Sequence, residues 1–274
     1  MEALGLFLAL MIGTLLGLLG GGGSILAVPV FVYVLGLDSK LAIALSLGVV
    51  GAASLAGTIP HLRARNVDVR TALIFAAGSA AGAFGGSALS RLVSGSVQLV
   101  VFAVVMLTAA ISMLRSRRGA AIVPAEAEAV EKLPALLAVT LLRGAAVGVL
   151  TGFVGVGGGF LIVPALVLLG NMPMKRAVGT SLLVIAINSA SGFTGYMLQE
   201  NIRHRIALTS IGGYPLASYL TLFTAIAIAG IGLGIWIGRR TNGGTLRRIF
   251  AIALVAMAAF IIAQNAGTIF GSVR

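Results

Sequence analysis

The sequence predicts an all-α polytopic membrane protein, built from two inverted repeats of about five segments each with glycine-broken helical hairpins. Three observations support this prediction: a scarcity of charge, hydrophobic runs of membrane-spanning length, and an internal repeat. Of 274 residues, 59% are hydrophobic and 9% are charged, and the mean hydropathy is +1.10. A typical soluble domain is about 25% charged, so the composition excludes a soluble globular enzyme.

Several hydrophobic runs approach or reach the roughly 20 apolar residues that a membrane-spanning helix needs. They are residues 3–19, 41–60, 71–90, 96–114, 134–154, 177–198, 216–238 and 249–263. The 19 Lys and Arg residues lie almost entirely between these runs, as expected for loops that orient a membrane protein. The net charge of +12 therefore indicates oriented loops rather than a nucleic-acid partner, since no platform of aromatic and basic residues accompanies it.

The chain contains an internal repeat, because residues 15–66 align without gaps on residues 150–201. The second copy then carries an insertion, after which the alignment resumes. Matched pairs include Gly20/Gly155, Gly22/Gly157, Pro29/Pro164, Lys40/Lys175, Asn66/Asn201, Gly82/Gly230, Gly86/Gly234 and Arg91/Arg239. We predict a first transmembrane repeat over residues 1–114, a cytoplasmic linker over 115–133 and a second transmembrane repeat over 134–274.

Two glycine clusters, one in each half, decide how the repeats cross the membrane. As a single crossing, residues 3–36 would form a helix of roughly 50 Å, much longer than a hydrocarbon core of about 30 Å. A hairpin at the glycines fits the membrane thickness better. Hairpins also divide the Lys and Arg residues unevenly between the two sides of the membrane, whereas single broken crossings divide them almost equally. With hairpins, the sparsely charged side holds Lys40, Arg91, Arg203, Arg205 and Arg274. The positive-inside rule then predicts basic loops in the cytoplasm and both termini on the outer side of the membrane.

The glycine clusters also predict an anion site. Each cluster precedes a short helix, at residues 24–35 or 160–169, whose first amides have no partner within the helix. Those amides and the positive end of the helix dipole attract anions, and glycine allows a close approach. Discontinuous helices in matching positions of two inverted halves indicate a transporter's substrate site. The alternative function of membrane glycines is close helix packing, which we expect for Gly82/Gly86 and Gly230/Gly234.

The candidate substrate-binding residues are the two clusters and polar side chains on otherwise apolar helices. They are Gly20, Gly21, Gly22, Gly23, Ser24, Gly155, Val156, Gly157, Gly158, Gly159, Ser46, Thr180, Ser181 and Asn188. A serine in a membrane helix can instead bond a carbonyl of its own helix, whereas the amide of Asn188 is harder to satisfy there. Lys40, Lys175 and Arg176 follow the short helices, where they can attract anions to the entrances or simply snorkel.

A duplicated motif carries a family resemblance. The pattern Gly-x-x-Gly-x-Gly-Gly, then a short apolar stretch and Pro, occurs at residues 17–23 before Pro29 and at 152–158 before Pro164. Lys-x-Ala-x-x-x-Ser continues it in both halves. Over nearly the whole chain this resembles the TauE/SafE family of sulfite exporters. The resemblance implies a bacterial inner-membrane carrier for sulfite, sulfoacetate or related sulfur-containing or organic anions, which would place both predicted outer termini in the periplasm.

We therefore expect an alternating-access exporter, with an anion channel or a non-transporting membrane scaffold as alternatives. The expected partners are a small anionic substrate and the lipid bilayer. We predict no catalytic residue, cofactor or metal site, because the chain has no cysteine and two histidines, His61 and His204, both expected in loops. The seven acids fall near segment ends, so we expect export down the membrane potential, or with a proton carried on the substrate itself.

Overall fold

The computed structural model describes residues 2–115, 133–154, 159–169, 172–211 and 213–271, most of which are helical. The first half contains α1 (Glu2–Leu19), α2 (Gly22–Pro29), α3 (Ser39–Arg63), α4 (Val69–Leu89) and α5 (Gly95–Arg115). The second half contains α6 (Leu133–Val154), α7 (Gly159–Pro164), α8 (Met174–Met197), α9 (Glu200–Leu208), α10 (Leu216–Arg240) and α11 (Gly243–Gly271). The predicted linker, apart from its ends, lies outside the described residues.

The short helices α2 and α7 each run into a π-helical turn after a proline. These turns span Val30–Val34 and Ala165–Leu169. A proline has no N–H, so one hydrogen bond of the α-helical ladder is lost at Pro29 and at Pro164, and a wider turn can follow there. The first short helix begins at Gly22, slightly earlier than the sequence predicts.

The first half reverses direction at its glycine cluster. Gly5 lies beside Leu35, and Gly23 lies beside Ile12, so that α2 runs back along α1. A single broken crossing would place these pairs far apart. The hairpin predicted from the segment lengths is therefore confirmed in this half.

The centre of the molecule is the crossing of α3 and α8. The most apolar stretches of these helices are 72% and 67% buried, against 31–44% for the other membrane-length helices of the described chain. The two helices are antiparallel, because Gly48 lies beside Phe193 while Gly57 lies beside Leu182. Since α3 and α8 occupy matching positions in the aligned segments, those segments run in opposite directions at the centre.

Two parallel helix pairs, α4 with α6 and α1 with α10, make the most extensive contacts outside this crossing. Their backbones touch at glycines: a Cβ placed on Gly82 would overlap the Ala145 carbonyl, and one on Gly234 would overlap the Thr14 carbonyl. Small residues allow this approach, which stabilises helix association in lipid. The packing interpretation of these glycines is confirmed.

Five helices in the described part of the chain are long and apolar enough to cross a membrane. They span Ser39–Arg63, Val69–Leu92, Met174–Met197, Leu216–Arg240 and Gly244–Ala263. Large apolar side chains such as Leu73, Leu233 and Ile252 are exposed on them, which suits a lipid environment rather than water. The predicted all-α polytopic membrane fold is confirmed.

The insertion in the second half forms most of α9 and a small β-hairpin, in which β1 (Ser210–Ile211) pairs antiparallel with β2 (Tyr214–Pro215). Arg205 Nη1 on α9 lies 3.0 Å from Asp38 Oδ2. Because Asp38 caps α3, this ion pair joins the insertion to the first half.

Gly82→Ala should destabilise the protein by about 1–3 kcal/mol, the usual cost of overpacking, because the new methyl group meets backbone. Gly85→Ala on the same helix is the matched control, since a Cβ there meets nothing within 4 Å. Thermal unfolding of both variants in detergent measures the difference. Equal unfolding midpoints for the two variants would contradict the close packing of α4 on α6.

Candidate functional site

The first glycine hairpin is buried in the protein. Gly20, at φ +71°, adopts the left-handed conformation that glycine accepts without a steric penalty. The Ser24 hydroxyl donates to the Gly21 carbonyl at 2.7 Å, and no side chain caps α2 at Gly21 in the described structure. The amides at the start of Gly22–Pro29 therefore have no side-chain acceptor.

Helix α8 of the second half packs onto this hairpin. Ser181 Oγ lies 2.9 Å from the Gly20 carbonyl oxygen and 2.8 Å from the Val178 carbonyl oxygen, and its single hydrogen can bond either. A Cβ on Gly20 would overlap both Ser181 and Val178. Ser181 therefore links the two halves at the point where the helix is broken.

Two other candidate hydroxyls make different contacts. Ser46 donates to the Ile43 carbonyl of its own helix at 2.8 Å. Thr180 Oγ1 accepts from the Asp68 backbone N–H at 2.9 Å and so attaches the loop between α3 and α4 to α8. Ser181 thus reaches the hairpin backbone, whereas its neighbour Thr180 positions a loop.

The second glycine cluster is only partly described: residues 155–158 lie outside the described residues, and α7 begins at Gly159. Just before the cluster, the Phe153 carbonyl accepts from Gln98 Nε2 and, at 3.2 Å, from the Tyr196 hydroxyl. Both side chains are fully buried. They satisfy a carbonyl at a helix end, where an unpaired group inside a membrane would cost several kcal/mol.

Asn188 forms a polar contact between α8 and α6. Its Nδ2 donates to Thr151 Oγ1 at 2.7 Å, and Thr151 donates to the Gly148 carbonyl at 3.0 Å. Asn188 Oδ1 is buried without a hydrogen-bond partner in the described structure, and so are the hydroxyls of Ser54 and Ser189, which align in the repeat. The amide does bond outside its own helix, to Thr151, a partner that sequence analysis did not identify.

Two pockets with cations in their lining lie at opposite ends of the helix bundle. The Lys175 pocket is lined by His61, Asn66, Lys175 and Arg239 and by a larger number of apolar residues, among them Val178. The Lys40 pocket is lined by Lys40, Arg91, Gln199, Glu200, Asn201 and Arg205 among others. The predicted entrance cations Lys40 and Lys175 thus lie at opposite ends, whereas Arg176 is exposed and outside the Lys175 pocket.

The expectation that both histidines lie in loops is wrong. His61 lies in the last turn of α3, because this helix continues beyond its apolar stretch to Arg63, and its ring packs against Gly179. His204 lies in α9, which the insertion forms. No group of three or more His, Cys, Asp or Glu side chains within the described ranges is placed to hold a metal ion.

The two ends differ in how far a pocket reaches towards the centre. The Lys175 pocket extends between Leu18, His61 and Leu246, and it reaches Val178, which packs against Gly20. The residues aligned with the first three are Phe153, Tyr196 and Gln98, which form the buried hydrogen-bonded cluster described above. The Lys175 pocket therefore comes close to the first hairpin, although at about 40 Å³ it is much smaller than the Lys40 pocket, at about 530 Å³.

Antiparallel central helices, a buried broken helix and pockets with cations in their lining at both ends are the features of a multi-pass membrane transporter. The sequence model of the family described as Sulfite exporter TauE/SafE matches residues 5–261. The chain belongs to this family.

Curated relatives carry the same general description. A probable membrane transporter protein of Xylella fastidiosa is 35% identical over 255 residues, which cover 92% of this chain and 91% of the relative. The probable membrane transporter protein YunE of Bacillus subtilis is 27% identical over 275 residues, covering 94% and 96% of the two chains. No solved structure matches the chain.

Thr151→Leu should destabilise the protein by about 1–3 kcal/mol, because it leaves the buried Asn188 amide without its acceptor. Adding Asn188→Ala should recover most of that loss, since the pair then matches Leu16 and Ala53, the aligned residues of the first half, which belong to one buried apolar cluster. Thermal unfolding of the single and double variants measures both effects. A double variant less stable than the single one would contradict the interaction.

Proposed function

We propose that the protein is a bacterial inner-membrane secondary transporter that exports sulfite, sulfoacetate or a related sulfur-containing or organic anion by alternating access. Membership of the TauE/SafE family supports the transporter class. The observation that carries the proposal is the buried hairpin, in which the uncapped start of α2 lies beside Ser181 of the other half.

Oxyanion binding at this hairpin follows from the backbone geometry. The first amides of a helix lack helical acceptors, and the helix dipole places partial positive charge beside them. Glycine at residues 20–23 places no side chain of its own over these amides, so an anion that enters the buried hairpin can contact backbone directly. The aligned residues Gly155–Gly159 would supply the matching surface from the second half.

Alternating access is supported by the relation between the halves. Helix α3 is antiparallel to its counterpart α8, and the α1–α10 pair is the counterpart of the α6–α4 pair. Helices α2 and α7 contact each other. This arrangement supports inverted repeats, in which two such halves exchange conformations and expose a central site to each side in turn.

The asymmetry between the two ends fits one state of such a cycle. At the Lys175 end the pocket reaches towards the first hairpin, whereas at the other end Gln98 and Tyr196 bond the Phe153 carbonyl, which precedes the second glycine cluster in the sequence. In the opposite state the second half would open and the first would close.

The distribution of cations supports a cytoplasmic location for the Lys175 end. The C-terminal end of α3 and its loop, the start of α8 and the end of α10 meet there. These segments carry Arg63, Arg65, Lys175, Arg176, Arg239 and Arg240. Because cytoplasmic loops are enriched in Lys and Arg, the Lys40 end would face the periplasm.

Export down the membrane potential is compatible with the positions of the acids. In the described ranges Asp38 and Asp68 cap helices, and Glu200 begins α9. None of these three carboxylates lies mid-membrane, where a proton relay would need one. An anion leaving a cell that is negative inside gains about 2.3 kcal/mol per charge per 100 mV.

Gly22→Ala should lower the rate of sulfite transport by about tenfold or more, corresponding to at least about 1.4 kcal/mol of lost anion stabilisation. Its methyl group would lie at the start of α2 and meet only the Leu19 side chain, with Cδ1 at 2.6 Å and Cβ at 3.1 Å, rather than backbone. The fold should therefore tolerate it better than Gly20→Ala or Gly23→Ala. Radiolabelled sulfite flux in proteoliposomes measures the effect.

The control for this experiment is Gly85→Ala, which adds the same methyl group in open space and should transport sulfite at the wild-type rate. Thermal unfolding of both variants verifies that they are folded. Wild-type sulfite flux in folded Gly22→Ala would refute the hairpin as the substrate site.

A further inference from the structure

The Lys40 and Lys175 pockets are lined by residues that the repeat aligns. Lys40 corresponds to Lys175, Arg91 to Arg239 and Asn201 to Asn66. In each pocket the Lys and Arg come from one half and the Asn comes from the other. The same three side-chain types therefore meet at both ends of the bundle. A pseudo-two-fold axis that exchanges the two halves of the chain is expected to produce this arrangement.

Orientation in the membrane does not account for the cations of the Lys40 pocket. The positive-inside rule requires cations at the cytoplasmic end only, and the Lys40 end is the sparsely charged one. The described cations of that end are Lys40, Arg91, Arg203 and Arg205. All of these except Arg203 line the same pocket.

Helix stabilisation does not account for the lysines either. Lys40 and Lys175 are the second residues of α3 and α8, where the positive end of the helix dipole disfavours a cation. Lys175 Nζ donates one hydrogen bond, to the Arg239 carbonyl at 3.4 Å, and an ammonium group has three N–H donors. Donors therefore remain for a ligand.

The two pockets differ in their acids. Glu200 lines the Lys40 pocket, and Asp38 pairs with Arg205 at its edge. No carboxylate is among the described residues that line the Lys175 pocket. The nearby Asp68 caps α4 by accepting from the Thr71 N–H at 3.0 Å. Lys175 and Arg239 give the Lys175 pocket a net charge of +2, and Lys40, Arg91 and Arg205 together with Glu200 give the Lys40 pocket the same net charge. Both pockets are therefore electropositive.

We propose that the two pockets are paired docking sites for the transported oxyanion, one at each mouth of the pathway. In each pocket the Lys and Arg supply charge-assisted N–H donors and the Asn supplies a neutral donor. This inference rests on the proposed function and names residues beyond the hairpin.

The test uses two double variants, Lys175→Gln with Arg239→Gln and Lys40→Gln with Arg91→Gln. The matched controls are Arg70→Gln and Arg203→Gln, which remove exposed cations outside the pockets. Uptake of radiolabelled sulfite is measured in right-side-out and inverted vesicles of phosphatidylcholine. Each double variant should raise the half-saturation concentration about tenfold, equivalent to about 1.4 kcal/mol, for entry from its own side only.

Changes of less than twofold in the double variants, or equal changes from both sides, would overturn the proposal. So would effects that appear only when phosphatidylglycerol is added, because the pockets would then hold lipid headgroups.

Thermal stabilisation of the purified protein by sulfite separates this proposal from the proposed function. If sulfite stabilises the wild type but not the double variants, and no sulfite is transported, the docking sites are supported and the transport proposal fails. If the wild type transports sulfite and the double variants keep its half-saturation concentrations, the docking sites fail and the transport proposal stands. Absence of both stabilisation and transport would refute both.

Discussion

The structure depends on satisfying the backbone where helices are broken at membrane depth. An unpaired N–H or C=O group in hydrocarbon costs several kcal/mol, so each break must be enclosed by protein. At the first break the Gly20 carbonyl is within hydrogen-bonding distance of Ser181, on the antiparallel helix from the other half. At the second, Gln98 and Tyr196 bond the Phe153 carbonyl. Helix α8, which crosses α3 at the centre, therefore supplies a hydrogen-bonding side chain at both breaks.

A comparison of aligned positions in the two halves distinguishes residues that pack the helices from residues that serve function. Where the two halves agree, as at Gly82 and Gly230, glycine provides the backbone contact that holds a parallel helix pair together. Where they disagree, an apolar position of one half is polar in the other: Thr151 and Asn188 align with Leu16 and Ala53. The packing glycines must be the same in both halves, because they hold the helix pairs together. The positions that are polar in one half only can differ, because a path for an anion must open at one end and close at the other.

Sequence reasoning predicted the features that depend on local pattern. Segment lengths identified the hairpin at Gly20, spacing identified the packing glycines, and the positions of Lys40 and Lys175 within the repeat predicted cations at opposite ends. Contacts between distant segments were not predictable, since they depend on which helix faces are brought together. The bond from Asn188 to Thr151, the cluster at Tyr196 and the ion pair from Arg205 to Asp38 belong to this group. The conformation of the insertion that forms α9 could not be derived from an alignment, because the first half has no counterpart.

The central claim is that an anion is carried by alternating exposure of one site rather than conducted through an open pore. Sulfite counterflow tests it most directly: proteoliposomes loaded with unlabelled sulfite are diluted into a trace of radiolabelled sulfite. A carrier exchanges one anion for another, so the label should accumulate transiently above its equilibrium level. Sulfite-dependent unitary currents without that overshoot would show a channel and contradict the account.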